Sequence, residues 1–215
     1  MLENLQKGVI EVNEKILSLC EQNSKIKELY KGCQIYFSPL IKNPNLMLIG
    51  INPGSGFYKA NKKIVQEFEP LEKYGEGYDL AQEIKCGVFR HLGREDIFNS
   101  TFKTNVYFFA TDNVDKLKCL FKLFPENFRI EVKQKSINWL KELITLTSPR
   151  IILCEGHTAF DYVKSFYGDE MVIDINKGYV LEGTINKIPI IGCKRMGCNI
   201  IKKEYLIEVL QKYYL

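Results

Sequence analysis

The sequence predicts an α/β fold: a three-layer α/β/α sandwich around a central, mostly parallel four-stranded sheet, plus an N-terminal helical extension. Three observations predict it. Four short apolar runs, Leu46–Ile51, Val106–Ala110, Ile151–Cys154 and Ile188–Ile191, are nearly unbroken, the pattern of strands covered on both faces. Stretches with apolar residues at helical spacing separate them, which implies right-handed crossovers and a parallel sheet. The chain has 215 residues, 46% of them hydrophobic, enough for one domain over 1–215 with a substantial core.

The elements follow in chain order. Residues Leu5 to Tyr30 place Val9, Val12, Ile16, Leu19, Ile26 and Leu29 on a helical stripe, so one or two helices form the extension over residues 1–40. Gly32 to Pro39, GCQIYFSP, reads as a short edge strand. After the first central strand, Tyr78–Leu92 is a helix candidate. The second strand, Val106–Ala110, is followed by a helix over Lys133–Leu146, with Ile137, Trp139, Leu140, Leu143 and Ile144 on its apolar side. A helix over Ala159–Phe166 follows the third strand. Met171–Asn186, with Gly178 and Gly183, reads as a hairpin inserted before the fourth strand. A helix over Lys203–Tyr214 closes the fold.

Composition narrows the function classes. Thirty Lys and Arg against 26 acids give a net charge of +4, compatible with a nucleic-acid partner. No apolar run reaches the roughly 18 residues of a membrane span, and the N-terminus lacks a signal-peptide core. The expectation is a cytoplasmic protein with no membrane partner. Seven cysteines and two histidines form no CxxC pair or ligand spacing, which argues against a disulfide framework, a zinc site or an iron–sulfur cluster; no metal and no cofactor is expected.

Ligands of such folds sit beyond the carboxyl ends of the parallel strands. The first strand ends in LMLIGINPG. Pro53 fixes φ and donates no hydrogen bond, while Gly50 and Gly54 permit close approach of a ligand to the backbone. Asn52 is thereby held at the strand tip. An amide is no general base near neutral pH, but its oxygen can orient a water. That suits a reaction in which bond breaking leads and water attacks late, such as cleavage of an N-glycosidic bond. The plain alternative is that Asn-Pro-Gly only makes a turn.

LMLIGINPG resembles the first motif of the uracil-DNA glycosylase superfamily, in particular its mismatch-specific and single-strand-selective branches. The resemblance rests on about five residues by motif and extends from Asn45 to the C-terminus by architecture. It implies a DNA-repair hydrolase that flips a damaged base out of DNA, with Asn52 positioning the attacking water and Gly50, Ile51, Pro53 and Gly54 holding the base. An aromatic ring that stacks on the base follows the first motif in that superfamily, and Phe57, Tyr58 and Phe68 match that place. The lysines of YKANKK, Tyr58 to Lys63, suit a phosphate backbone.

The second motif departs from the family pattern. The stretch after the last strand, IPIIGCKRMGCN, has neither the His nor the Pro-Ser of the superfamily. Cys193, at the end of that strand, is a candidate substrate-binding residue. Lys194 and Arg195 can supply positive charge to a departing anionic base or to a phosphate, and Met196 can wedge between bases. The alternative is a solvated basic loop. At the second strand end, Asp112 or Asn113 takes the place of the Asn that reads the uracil edge in several branches.

Other groupings are weaker. Cys154 and His157 lie three residues apart, but Cys154 falls inside an apolar run, where thiols are inert. Gly156 matches a packing glycine of the superfamily. Glu155, Asp112 and Asp161 are acids at strand or helix ends. Two alternatives to a glycosylase stay open: a catalytically silent module of the same fold that binds nucleic acid or a nucleotide, and an enzyme acting on free nucleosides.

Overall fold

A computed structural model of the chain describes residues 2–54, 65–67, 78–168, 172–176 and 178–214. The strands are β1 (Gly32–Gln34), β2 (Leu46–Gly50), β3 (Val65–Glu67), β4 (Thr101–Asn105), β5 (Phe109–Ala110), β6 (Ile152–Cys154), β7 (Val172–Asn176), β8 (Val180–Ile185), β9 (Ile188–Cys193), β10 (Arg195–Met196) and β11 (Asn199–Ile200). The helices are α1 (Leu2–Gln22), α2 (Ser24–Leu29), α3 (Asp79–Ile84), α4 (Glu95–Asn99), α5 (Val114–Leu123), α6 (Glu126–Thr147), α7 (His157–Tyr167) and α8 (Lys203–Tyr214). A π-helical turn over Lys85–Phe89 continues α3. No helix of the described residues is long and apolar enough to cross a membrane.

The elements gather into two compact units, each made of several segments. One comprises Phe37–Gly50, Leu71–Thr104 and Leu146–Leu215. Its six-stranded sheet has the order β4-β2-β6-β9-β8-β7. β2, β6 and β9 run parallel, with Leu48 opposite Leu153 and Leu153 opposite Ile191. β8 and β7 extend the sheet as an antiparallel meander. Successive side chains of a strand face opposite ways, so Leu46 and Leu48 of β2, Leu153 of β6 and Ile151 just before β6 lie on one side. These pack with Ala81, Ile84, Val88 and Phe89 and with Leu206, Val209 and Leu210 of α8. On the other side Gly192 lies directly under Phe160 of α7. Helices thus cover both faces of the sheet, the three-layer α/β/α arrangement that the apolar runs predict.

The other unit comprises Met1–Tyr36, Ile51–Pro70 and Asn105–Thr145. Its three-stranded sheet has β1 in the middle, parallel to β3 and antiparallel to β5. α1 packs on α6: a Cβ at Gly8 would sit 3.4 Å from the Trp139 ring, and Lys15 pairs with Glu131 at 2.9 Å. Trp139 stacks on Phe108 with centroids 5.8 Å apart. The break between α1 and α2 is set by Asn23, whose Oδ1 accepts the backbone N–H groups of Lys25 and Ile26, a side-chain N-cap.

Several expectations are corrected. The main sheet has six strands, not four. Its second strand in sequence is Thr101–Asn105, not Val106–Ala110. TFKTN is polar by composition yet buried at every position. Its side chains bond internally, Thr101 Oγ1 donating to Ile97 O at 3.1 Å, so an apolar-run criterion passes over it. Of Val106–Ala110 only Phe109–Ala110 is strand, and it joins the smaller sheet. The GCQIYFSP strand is not an edge, because β1 is paired on both sides.

Candidate active site

The chain leaves β2 at Gly50 and runs beside the segment that ends in β5. Tyr107 N–H donates to Ile51 O at 2.8 Å, and Thr111 N–H donates to Pro53 O at 3.4 Å. Between these two anchors sits Asn52, half-buried. Its Nδ2 lies 3.0 Å from Pro53 O and 3.0 Å from Thr111 Oγ1. Thr111 in turn donates its hydroxyl hydrogen to Asn113 O at 2.8 Å.

Those partners fix which way the amide faces. Pro53 O can only accept, and the Thr111 hydroxyl has its single hydrogen committed, so it too must accept. Both amide hydrogens of Asn52 are therefore engaged, which assigns the nitrogen to that side and the oxygen to the other. Among the described residues no donor reaches Oδ1. The arrangement leaves one fixed acceptor at a strand tip, able to take a hydrogen bond from a water or a ligand.

Pro53 is buried and Gly54 exposed, with nothing within 4 Å of a Cβ placed there. Gly50 ends β2 in extended backbone, so the turn does not draw on the left-handed freedom of either glycine. Ile51 is buried at the same tip. Asn113 is the N-cap of α5, its side chain accepting from Lys116 N at 2.9 Å. Its amide oxygen is thus tied to the helix; Asp112 beside it is exposed. Phe57, Tyr58, Phe68 and the lysines of YKANKK lie outside the described residues.

The residues of the IPIIGCKRMGCN stretch belong to the unit with the six-stranded sheet. β10 and β11 form a tight hairpin, Arg195 opposite Ile200 and Met196 opposite Asn199. Met196 is 71% exposed near the tip. Lys194 is exposed; its N–H donates to Tyr179 O at 2.8 Å, and its ammonium lies 5.3 Å from the Tyr179 ring centroid, a cation–π distance. Arg195 staples the hairpin to the end of β6: Nε donates to Glu155 O at 2.8 Å, and Nη1 donates to Gly197 O. Gly156 makes room for it. Its φ is +118°, and a Cβ there would lie 3.2 Å from Arg195 Nε. Cys193 is a core residue rather than a surface contact, its thiol directed at Cys154 O and pushed up to about 11 by burial.

Below Arg195 lies a buried ion pair, Lys103 Nζ to Glu155 at 2.9 Å, each side chain 6% exposed. Lys103 also donates to Thr104 O at 2.8 Å. Burial lowers the Lys103 pKa, with Glu155 opposing the shift. Two desolvated charges persist only when paired and hydrogen-bonded, so Glu155 is occupied rather than poised as a general base. Asp161 is exposed on α7. Cys154 is buried and its thiol is raised well above its ordinary value by desolvation. His157 Nε2 lies 3.1 Å from Tyr179 O, an acceptor, so that nitrogen carries the proton. This pattern gives no thiol nucleophile.

Sequence reasoning marks Thr111 as a strand-end residue without its role towards Asn52, and misses Lys103. Thr111 follows a strand tip, where a hydroxyl that accepts from a neighbouring amide is a readable signal. Lys103 gives no such signal in one sequence. Among the described residues no group of three or more His, Cys, Asp or Glu side chains is arranged to hold a metal ion. No protein-family model matches the chain, and no curated protein matches it.

Proposed function

We propose that the protein is a DNA-base glycosylase of the uracil type, which hydrolyses the N-glycosidic bond of uracil or another damaged base. The observation that carries the reading is the orientation of Asn52. Its amide hydrogens are held by Pro53 and Thr111, and its oxygen is left as an acceptor at the end of a parallel strand. Glycosidic cleavage proceeds through a cation-like sugar, so the attacking water needs alignment more than deprotonation, and a carboxamide supplies alignment. A base extruded from the stack becomes reachable for such a group.

The basic hairpin of the other unit carries charge of the sign that a DNA partner requires. Lys194 and Arg195 carry positive charge suited to an anionic leaving base or to phosphates. Arg195 has two of its donors on backbone carbonyls, so Lys194 is the freer cation. The same commitment of Arg195 favours a second reading, a silent nucleic-acid-binding module with the glycosylase fold.

A panel of oligonucleotides separates the two. Single strands and duplexes containing uracil or other deaminated bases are incubated with the protein, and released free base is measured by chromatography. Release from at least one substrate is expected. Salt-dependent binding without release from any of them would replace the glycosylase by the binding module.

A further inference from the structure

We infer that Glu83, seated by the π-turn and by Gly87, is a positioning residue that pins the β10–β11 hairpin. The inference rests on the functional reading above for its consequence, though not for its geometry. Glu83 Oε1 accepts from Lys203 Nζ at 2.8 Å and from the backbone N–H of Ile200 at 3.4 Å. One carboxylate therefore holds β11 and the first turn of α8 together.

The local backbone is shaped around that carboxylate. A Cβ added at Gly87 would lie 3.0 Å from Glu83 Oε2 and 3.0 Å from Lys203 Nζ, closer than side chains normally approach. Gly87 sits within the π-turn Lys85–Phe89, and π-turns recur where a helix has been adapted to a special task. The hairpin is thus tied on both strands. Arg195 fastens β10 to Glu155 O, and Glu83 fastens β11. Neither tie uses Lys194 or Met196, the hairpin residues free to meet a ligand. Glu83 and Gly87 hold those residues in place and touch no substrate.

Hydrogen exchange read by mass spectrometry tests the inference on the full chain. In Glu83→Ala, exchange of the Ile200 amide and its hairpin neighbours is expected to rise about tenfold, the size of losing a hydrogen bond to a charged acceptor. Exchange in β6 stays unchanged. Glu83→Gln keeps an acceptor for Ile200 and is expected to restore most of the protection. Gly87→Val is expected to behave like Glu83→Ala; if it does not fold, Glu83→Ala decides. A fluorescein-labelled single strand carrying one uracil gives the second readout: its Kd rises several-fold in Glu83→Ala and returns towards the wild-type value in Glu83→Gln. Hairpin exchange equal to wild type in a folded Glu83→Ala protein would overturn the inference. A wild-type protein that binds no oligonucleotide sinks the glycosylase reading alone, and the exchange arm then decides the latch.

Discussion

A carboxamide has a donor end and an acceptor end, and its usefulness depends on which one faces the ligand. Asn52 is legible in the sequence because GINPG stops an apolar run at one polar side chain. Its orientation is not legible, because Thr111, 59 positions away, sets it. Thr111→Val keeps the shape and removes the hydroxyl. Asn52 then loses one of its two acceptors and can rotate. We expect kcat/KM for base release to fall about 10²-fold, the scale of a small misplacement of a reacting group, with a stability loss of about 1–3 kcal/mol from the unpaired donor. Steady-state kinetics and thermal unfolding check both. Wild-type kinetics in Thr111→Val would mean that Asn52 is held by Pro53 alone. Cys193 shows the opposite failure. It ends an apolar run beside a basic pair, which looks like a site, but the pleat turns its thiol into the core.

Strands and helices are legible where the apolar signal is continuous, and obscure where burial is polar. Ile151–Cys154 and Lys203–Tyr214 match β6 and α8 closely. The apolar spacing marks the α3 stretch but not its π-turn, since nothing in KCGVF changes that spacing. β4 escapes the pattern because Thr101, Lys103 and Asn105 are buried polar residues, and the charge partner of Lys103 is Glu155, far along the chain. β9 runs past its apolar stretch, and its extra residues matter. Gly192 has Phe160 of α7 so close that an added Cβ would sit 2.7 Å from the Phe160 Cβ and 2.9 Å from its ring. Gly192→Ala must push α7 away from the sheet, and overpacking of this kind costs about 1–3 kcal/mol. Denaturant unfolding is expected to show that loss. An unchanged midpoint would show that α7 accommodates the methyl group freely.

For the whole molecule, ionisation links stability to pH. Cys33, Cys154 and Cys193 are buried, and desolvation raises all three thiols. An unfolded chain releases these protons near the ordinary thiol value of 9.0, whereas folded Cys193 holds its proton to about 11. The stability these thiols contribute is complete below 9.0 and is lost as pH climbs from there towards the folded values. Each thiol that is ionised in the unfolded chain and still protonated in the folded one removes about 1.4 kcal/mol per pH increment of one. Lys103, lowered by burial, acts in the other direction, while the buried Tyr30 and Tyr214 hydroxyls, raised by desolvation, act with the thiols. The denaturant midpoint should therefore fall between pH 9.0 and about 11; a flat or rising midpoint in that window would contradict the buried, protonated thiols. The proposed function hangs on a narrower feature of the molecule, the acceptor that Asn52 presents. The most direct measurement is the single-turnover rate of base release from a uracil-containing oligonucleotide by wild type and by Asn52→Ala at saturating protein. The account predicts release by the wild type and a rate at least about 10²-fold lower in the variant, with oligonucleotide affinity preserved. Equal rates in the two proteins would contradict it.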